Sequence, residues 1–201
     1  MQTFVPYIGN AKIAECLDNV RLWKQGIEVE QILGSLENGT GYKNHPVNDM
    51  WRGYEPALTM YGLAMLHEHT IVRKRPDREG VTDRLFEYAS AYGLTGTRRE
   101  ESGRIVMDGT AAKSAPWRED RDVMRSHRSN LCRKLAAHYR HRFPGQADDW
   151  AYLWPRIDDG DTRGYRLFLS KATLSPGRFG VTEFLPEWLR VDESTREVLP
   201  A

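Results

Sequence analysis

Cysteine is scarce in this chain. Only Cys16 and Cys132 occur, far apart and without CxxC or Cys/His ligand spacing. Disulfide frameworks and structural zinc sites need more cysteines at closer spacing, so we expect neither. The same scarcity is typical of a reducing compartment, and we predict a cytoplasmic protein.

Long apolar runs are also missing. No stretch approaches the ~20 apolar residues that cross a bilayer, and the first residues lack the charged-then-apolar layout of a secretory signal. We therefore expect no membrane association. A large charge imbalance is absent too, because the formal net charge is only +1. A balanced total can conceal a local basic face, so the distribution of charges along the chain has to be read separately.

Glycine and proline punctuate several stretches that favour helix. Asn10 is a candidate N-cap, a break is expected near Asp18, and both Pro46 and Pro56 stand where a helix can begin. The apolar spacing predicts helices over 10–36 (one or two), 56–69, 81–92 and 122–143. Short strands are predicted at 104–107 and 165–169, and residues 2–7 are predicted to lie extended on the core.

The chain length allows one full hydrophobic core but not two well-separated large domains. We predict a mainly α protein, built as a compact single-domain helical bundle with a small β element. Residues 1–155 form this domain, with an insertion or mobile loop at 93–117. Residues 156–201 are predicted to be a C-terminal extension packed on the same domain, with 176–201 as a peripheral wrap.

One polar stripe runs along the first long helix. On a helical wheel, four polar side chains fall within about 60° of Glu28: Arg21, Lys24, Gln25 and Gln31. Apolar side chains gather on a different arc and predict the face that packs on the core: Leu22, Val29, Leu33 and Leu36. Spacing alone leaves two interpretations open. The stripe is either a solvated face with a Lys24/Glu28 pair worth ~0.2–0.5 kcal/mol, or a rigidly held functional carboxylate.

Six short motifs narrow this choice. They are LDNVRLWKQGIE at 17–28, GYKNHP at 41–46, MWRGY at 50–54, APW at 115–117, SHRSNL at 126–131 and YLWP at 152–155. Together they resemble the pyrimidine-dimer DNA glycosylases, the family of the phage endonuclease V, over about two-thirds of the chain. The longer bacterial and phage members are the most similar. The resemblance implies an endonuclease V-like helical fold.

The resemblance also implies a chemistry. In the repair branch, a primary amine attacks the sugar C1′ of a damaged pyrimidine, the base is expelled, and the strand is cut by β-elimination through a Schiff base. The amine is the protein's own amino terminus, and a helical glutamate stabilises the cationic sugar and moves protons. Glu28 stands at the position of that glutamate.

The amino terminus departs from the family pattern. The small phage enzyme exposes a threonine after its methionine is removed, whereas this chain begins Met1-Gln2-Thr3. Gln2 is too large for normal methionine removal and predicts that Met1 is retained. The nucleophile is then either the Met1 amine, whose class has a reference pKa of ~7.7–8.0, or a lysine, with Lys24 and Lys43 as candidates.

Residues 126–144 contain no acidic side chain. The basic residues of this stretch predict a phosphate-facing surface, unless they pair with acidic groups elsewhere in the chain. Lys43-Asn44-His45 lies in a loop that can reach a phosphate or base edge, although His45 before a proline can also be a turn residue. The rings of Trp150, Tyr152 and Trp154 either stack on an exposed base or form core. The predicted DNA-contacting set is Arg21, Gln25, Asn44, His45, Arg52, His127, Arg128, Asn130, Arg133, Lys134, Tyr152 and Trp154.

The preferred function is a DNA glycosylase with apurinic/apyrimidinic lyase activity on damaged pyrimidines in double-stranded DNA. The catalytic candidates are Glu28, Met1, Lys24 and Lys43. Two alternatives remain: a transferase that modifies bases in DNA on the same scaffold, and a non-catalytic DNA-binding module. No cofactor and no protein partner are implied. No metal site is expected either, because Asp158, Asp159 and Asp161 read as turn residues without a histidine partner.

Overall fold

Helices make up most of the regular structure in the computed structural model, which describes residues 2–39, 41–107, 112–169, 190–192 and 194–199. The remaining elements are short strands, so the predicted mainly α fold class is confirmed. The chain divides into two compact units, Met1–Ala115 and Pro116–Ala201. The predicted domain limits at residues 155 and 156 stay a prediction.

The first unit is a set of packed helices followed by a β-hairpin. Its elements are α1 (Asn10–Cys16), α2 (Asn19–Asn38), α3 (Pro46–Trp51), α4 (Glu55–His67), a π-helical turn (Glu68–Val72), α5 (Val81–Ala91), β1 (Thr97–Arg99) and β2 (Ile105–Met107). The two strands pair antiparallel, and β2 confirms the strand predicted at 104–107. Residues 108–111 of the predicted insertion lie outside the described residues.

The corner between α1 and α2 follows from capping. The Asp18 carboxylate accepts hydrogen bonds from the backbone N–H groups of Val20 (3.0 Å) and Arg21 (3.2 Å), which starts α2 and confirms the predicted break. The predicted N-cap at Asn10 is wrong by one residue, because Gly9 holds the extended cap conformation. The Arg73 guanidinium donates to the Leu17 carbonyl at 2.8 Å and to the Ala14 carbonyl at 3.0 Å, and so stabilises the end of α1.

Helices α2 and α4 approach each other closely through two glycines. A Cβ atom on Gly26 of α2 would stand 2.6 Å from Leu66 Cδ2 of α4. A Cβ atom on Gly62 of α4 would stand 2.8 Å from Val29 Cγ1 of α2 and 2.7 Å from a methyl group of Leu85. Val29, Leu66 and Leu85 are fully buried, so the helix that carries Glu28 is held by tight packing.

We expect Gly62→Ala to lower the free energy of unfolding by about 1–3 kcal/mol, because the new methyl group overpacks this contact. Gly34→Ala is the matched control, since Gly34 lies in α2 and its added Cβ would meet only Tyr88 Oη, at 3.6 Å. That control should be neutral or stabilising, by up to ~1 kcal/mol, through helix propensity. Urea unfolding of both variants checks this, and equal behaviour of the two would contradict the close-packing argument.

The second unit combines two helices with a small sheet. Its elements are a 3₁₀ turn (Pro116–Glu119), α6 (Arg121–Lys134), α7 (Ala136–Tyr139), β3 (Leu153–Ile157), β4 (Tyr165–Leu169), β5 (Arg190–Val191) and β6 (Glu197–Leu199). The strand order is β3-β4-β6-β5, and all neighbours are antiparallel. Strand β4 confirms the strand predicted at 165–169. Of the tail predicted as a wrap, residues 176–189 lie outside the described residues.

The single helix predicted over 122–143 is wrong. The backbone of Leu135 is extended, with φ −156° and ψ 78°, and it separates α6 from α7. The change of direction brings Tyr139 and Phe143 into the core, where their rings lie parallel with centroids 6.0 Å apart. No glycine or proline at Leu135 signals this break in the sequence. The break forms because burial of the two rings stabilises the protein more than a continuous helix would.

Candidate active site

The first residues of the chain are locked onto the helical core. Thr3, Phe4 and Val5 are buried, as predicted for residues laid on the core. The indole N–H of Trp51 donates to Thr3 Oγ1 at 2.9 Å. The Tyr61 hydroxyl lies 2.9 Å from the Phe4 carbonyl oxygen and 2.6 Å from Gln25 Oε1, and its single proton is shared between these two acceptors. Residues from α3 and α4 therefore fix the path of the amino-terminal segment.

Gln25 of α2 completes this lock. Its side-chain oxygen accepts the Phe4 N–H at 2.8 Å, and its side-chain amide donates to the Gln2 carbonyl oxygen at 3.0 Å. The carboxamide thus copies the donor and acceptor pattern of a neighbouring β-strand. Only 1% of Gln25 is exposed, so it faces the protein interior, and we leave it out of the proposed DNA-contacting set.

Glu28 lies one helical turn further along α2, beside the same segment. Its Oε2 atom accepts hydrogen bonds from Gln25 Nε2 at 3.0 Å and from the Gln2 backbone N–H at 3.2 Å. Burial raises the pKa of the Glu28 carboxyl, while the charge of the amino terminus, these two hydrogen bonds and the charge of Lys24 oppose that rise. The Glu28 carboxylate is thus partly desolvated and holds two donors on one oxygen. This favours a rigidly held carboxylate over a side chain of a solvated helix face.

Met1 lies outside the described residues. Gln2, to which it is bonded, has its backbone nitrogen 3.2 Å from Glu28 Oε2.

The other members of the predicted polar stripe have different surroundings. Arg21 forms an ion pair with Asp18, with Nη1 to Oδ2 at 2.7 Å, so its guanidinium is already engaged inside the unit. Lys24 and Gln31 are exposed. Arg21 thus stabilises the start of α2, and Lys24 is the member whose charge both reaches solvent and acts on Glu28.

The loop after α2 brings a histidine towards the same segment. His45 Nδ1 accepts the Val47 N–H at 3.2 Å, so this side chain caps α3 and confirms its interpretation as a turn residue. Burial, followed by the charge of the amino terminus, lowers the pKa of His45 to about 4. The imidazole is therefore neutral near pH 7, with its proton on Nε2.

Exposed polar side chains flank His45. Lys43 and Asn44 precede it on the loop, and both are exposed. The loop is tied to α2 because Asn48 Nδ2 donates to Ser35 Oγ at 2.9 Å and to the Tyr42 carbonyl at 3.0 Å. Arg52, at the end of α3, is exposed, and one of its Nη atoms lies 3.7 Å from an Asp49 oxygen.

The segment that contains these residues is similar to a known protein family. Residues 1–82 match the family model described as pyrimidine dimer DNA glycosylase. This segment, about two fifths of the chain, is similar to that family. The match confirms the resemblance noted in the sequence. The matched segment includes Gln25, Glu28 and His45, together with Trp51 and Tyr61, which contact the amino-terminal residues. No match was found among curated proteins or among solved structures.

The glycosylase segment ends before the second unit, so the motifs at 115–117, 126–131 and 152–155 lie beyond it. The structure gives the SHRSNL motif an internal role. Ser126 Oγ donates to the Ala151 carbonyl at 2.9 Å and accepts the Leu153 N–H at 2.8 Å. Ser129 Oγ accepts the Trp150 N–H at 2.9 Å. Helix α6 thereby anchors the segment that leads into β3.

The aromatic residues predicted to stack on a base lie in the core of this unit. His127 is fully buried, and its ring stacks on Tyr152 with centroids 4.6 Å apart. Trp154 contacts Tyr152 edge-on at 4.5 Å and is 8% exposed. Side chains buried in this way do not reach a phosphate or a base, so we leave His127, Tyr152 and Trp154 out of the proposed DNA-contacting set.

The remaining predicted contacts of α6 are partly engaged within the unit. The Arg128 guanidinium lies over the Phe143 ring at 5.7 Å. Asn130 is buried, and its Oδ1 accepts a hydrogen bond from Arg133 Nη2 at 2.6 Å. Lys134 is exposed at the end of the helix. Phosphate contacts by Arg128, Arg133 and Lys134 stay a prediction.

Buried His127 makes the protein sensitive to acid. Burial, with the charge of Arg118 acting in the same direction, lowers its pKa to about 3, whereas an unfolded histidine titrates near 6.5. The stability that depends on neutral His127 is therefore complete above pH 6.5 and is lost as the pH falls towards 3. At pH 4 the loss amounts to about 2–4 kcal/mol.

We expect His127→Phe, which keeps a ring against Tyr152, to flatten the stability profile between pH 6.5 and 4 by that amount. Urea unfolding at pH 7.5, 5.5 and 4 measures it, and the difference between the two proteins isolates His127 from the carboxylates that both share. Parallel profiles would show that His127 is not held neutral.

In the part of the chain that the structure describes, no three His, Cys, Asp or Glu side chains converge as a metal site would require. The described helices also include none with the length and apolar content needed to span a bilayer.

Proposed function

We propose that this protein is a DNA glycosylase with apurinic/apyrimidinic lyase activity, acting in the cytoplasm on damaged pyrimidines in double-stranded DNA. One observation carries the proposal: the Glu28 carboxylate is held on a packed helix with Gln2, the second residue of the chain, hydrogen-bonded to it at 3.2 Å. The family match over residues 1–82 supports the same class of reaction.

In the proposed reaction, a neutral amine attacks C1′ of the damaged nucleotide. An N–C1′ bond forms, the bond from C1′ to the base breaks, and the base leaves with the electron pair. The amine proton passes to Glu28, whose raised pKa makes it a stronger proton acceptor than a carboxylate in water. Glu28 returns this proton to O4′ as the C1′–O4′ bond breaks and the nitrogen lone pair forms the C1′=N bond of the Schiff base. Loss of a C2′ proton then breaks the C3′–O bond and expels the 3′ phosphate.

The amine of residue 1 is the preferred nucleophile. It meets two requirements at once, because an α-amino group has a reference pKa of ~7.7–8.0 and residue 1 is bonded to Gln2, whose N–H contacts Glu28. Lys24 and Lys43 are the alternatives, and both are exposed. An α-amino group has the lower reference pKa of these two classes of amine, so a larger fraction of it is neutral and nucleophilic at pH 7.

The proposed DNA contacts in the first unit come from exposed polar and charged side chains of α2, of the loop that follows it and of the end of α3. Lys24, Lys43 and Asn44 are exposed on α2 and on the loop that follows it, and Arg52 is exposed at the end of α3. Such side chains hold phosphates and fix the register of a duplex. In the second unit, Arg128, Arg133 and Lys134 are proposed to contact phosphates.

The decisive experiment uses an ultraviolet-irradiated duplex and an identical unirradiated one. Incubation with the protein should nick only the irradiated duplex, and addition of borohydride should trap a covalent protein–DNA adduct through the Schiff base. Absence of both nicks and adduct from the irradiated duplex would overturn the proposal.

A base-modifying transferase is the second candidate, and Gln2 favours it. The phage enzyme has a small residue at this point, which permits methionine removal, whereas Gln2 predicts that Met1 is retained. Mass spectrometry of nucleosides, from DNA exposed to the protein together with a cell extract as the source of a donor group, distinguishes the two. A nucleoside of increased mass without base loss indicates modification, and a free base indicates excision.

A further inference from the structure

The two oxygens of the Glu28 carboxylate have different surroundings. Both hydrogen bonds that Glu28 accepts within the described residues fall on Oε2, from Gln25 Nε2 and from the Gln2 N–H. A carboxylate oxygen that already holds two donors is poorly placed to take a proton. Proton transfer is therefore directed to the other oxygen, Oε1.

The orientation of the Gln25 amide group is fixed by its neighbours. The Phe4 N–H donates to Gln25 Oε1 at 2.8 Å, and the Tyr61 hydroxyl, whose single proton is shared between this oxygen and the Phe4 carbonyl, lies 2.6 Å from Oε1. An N–H group cannot accept a hydrogen bond in this position, so a flipped amide would place two donors against each other. Gln25 Nε2 is consequently held towards the Gln2 carbonyl and Glu28 Oε2.

We propose that Gln25 is a positioning residue that anchors Glu28 through Oε2 and leaves Oε1 as the oxygen that takes the proton. This inference rests on the proposed function, since it assigns the proton transfer of that same site. It differs from the role first predicted for Gln25, which was to contact DNA. Because the same amide also holds Gln2 and Phe4, one side chain sets the distance between the carboxylate and the start of the chain.

The pKa of Glu28 provides a readout that does not depend on DNA. A donor on Oε2 favours the charged carboxylate, so removal of the Gln25 donor should raise the Glu28 pKa further. Lys24 and the amino terminus are the charged groups that also act on Glu28, and they are unchanged by substitution of Gln25. Because the reaction needs ionised Glu28, the acidic limb of the pH–rate profile should shift to higher pH.

Gln25→Met is the principal variant, because methionine has nearly the same volume and no donor. We expect a single-turnover rate about 10²-fold lower at pH 7 with little change in KM, and partial recovery as the pH rises. Carbon-13 NMR of the glutamate carboxyl groups, assigned with Glu28→Gln, should show the Glu28 titration at higher pH than in the wild type.

Two matched variants separate positioning from general damage. Tyr61→Phe removes the hydroxyl from the Oε1 side of the Gln25 amide but leaves both contacts of Nε2, so the Glu28 titration should stay where it is. Gln31→Met makes the same substitution at an exposed position of α2 and should also leave that titration unchanged.

If Gln25→Met does not fold, Gln25→Glu takes its place. It keeps an acceptor for the Phe4 N–H and the Tyr61 hydroxyl and sets a second carboxyl beside Glu28, so the pair should titrate at higher pH than Glu28 alone. An unchanged Glu28 titration in the folded variant would overturn the assignment of Gln25. An inactive wild type with a shifted titration would instead overturn only the proposed function.

Discussion

Glu28→Gln is expected to lower the single-turnover rate of base excision on irradiated DNA by about 10²–10⁴-fold, the range over which a positioned proton acceptor acts. The substituted amide can turn its oxygen towards Gln25 Nε2 and the Gln2 N–H, so both hydrogen bonds and the fold are kept. What is lost is the negative charge and the ability to take a proton. The affinity for DNA should change little, because no phosphate contact is removed.

Glu30→Gln provides the matched control. Glu30 also lies on α2, where it forms an ion pair with Arg84, and the substitution removes the same charge from the same helix. Its excision rate should stay within a few-fold of the wild type. If Glu28→Gln proved as active as Glu30→Gln, the carboxylate would not take part in the chemistry.

Addition of two residues in front of Met1 is expected to abolish the protein–DNA adduct that borohydride traps, which is the second large effect. The extension converts the amine of residue 1 into an amide, which is not a nucleophile, and moves the new amine away from Glu28. The borohydride adduct should fall below detection, while urea unfolding should remain near that of the wild type because Thr3 and Phe4 keep their partners.

Lysine variants complete this experiment. Lys24→Met and Lys43→Met should both still form the adduct, and peptide mapping of the wild-type adduct should place the sugar remnant on residue 1. Mass spectrometry of the intact protein first verifies that Met1 is present. An adduct that survives the extension but disappears in one lysine variant would assign the nucleophile to that lysine.

These expectations share one structural basis, the fixed position of the amino-terminal segment. Three helices contribute to it, through Gln25 of α2, Trp51 of α3 and Tyr61 of α4. Each of these side chains is buried, and each contacts backbone or side chain of residues 2–4. The tight α2–α4 contact at Gly26 and Gly62 keeps two of the three helices in register. The site is thus positioned by the core rather than by a surface loop.

The amino-acid sequence by itself determined the local features of this protein. Helix limits followed from caps and prolines, such as Asp18 before α2 and Pro46 at the start of α3, because these signals act within a few residues. The motif around Glu28 indicated a resemblance to the glycosylase family, and the match over residues 1–82 confirms that resemblance. The residues of the polar stripe do lie on one helix, α2, but their surroundings differ: Gln25 is buried, Arg21 pairs with Asp18, and Lys24 and Gln31 are exposed.

Tertiary structure alone decided which polar side chains belong to the site. Gln25 and Gln31 are the same residue type on one stripe, yet one is buried against the amino-terminal segment and the other is exposed. His127 and Leu135 show the same limit. His127 is buried against Tyr152 of a separate element, and the helix break at Leu135 accompanies the burial of Tyr139 and Phe143 in the core. The physical reason is that burial and hydrogen-bond partners are set by contacts between separate elements, such as that between Tyr61 and Phe4, and no local pattern records them.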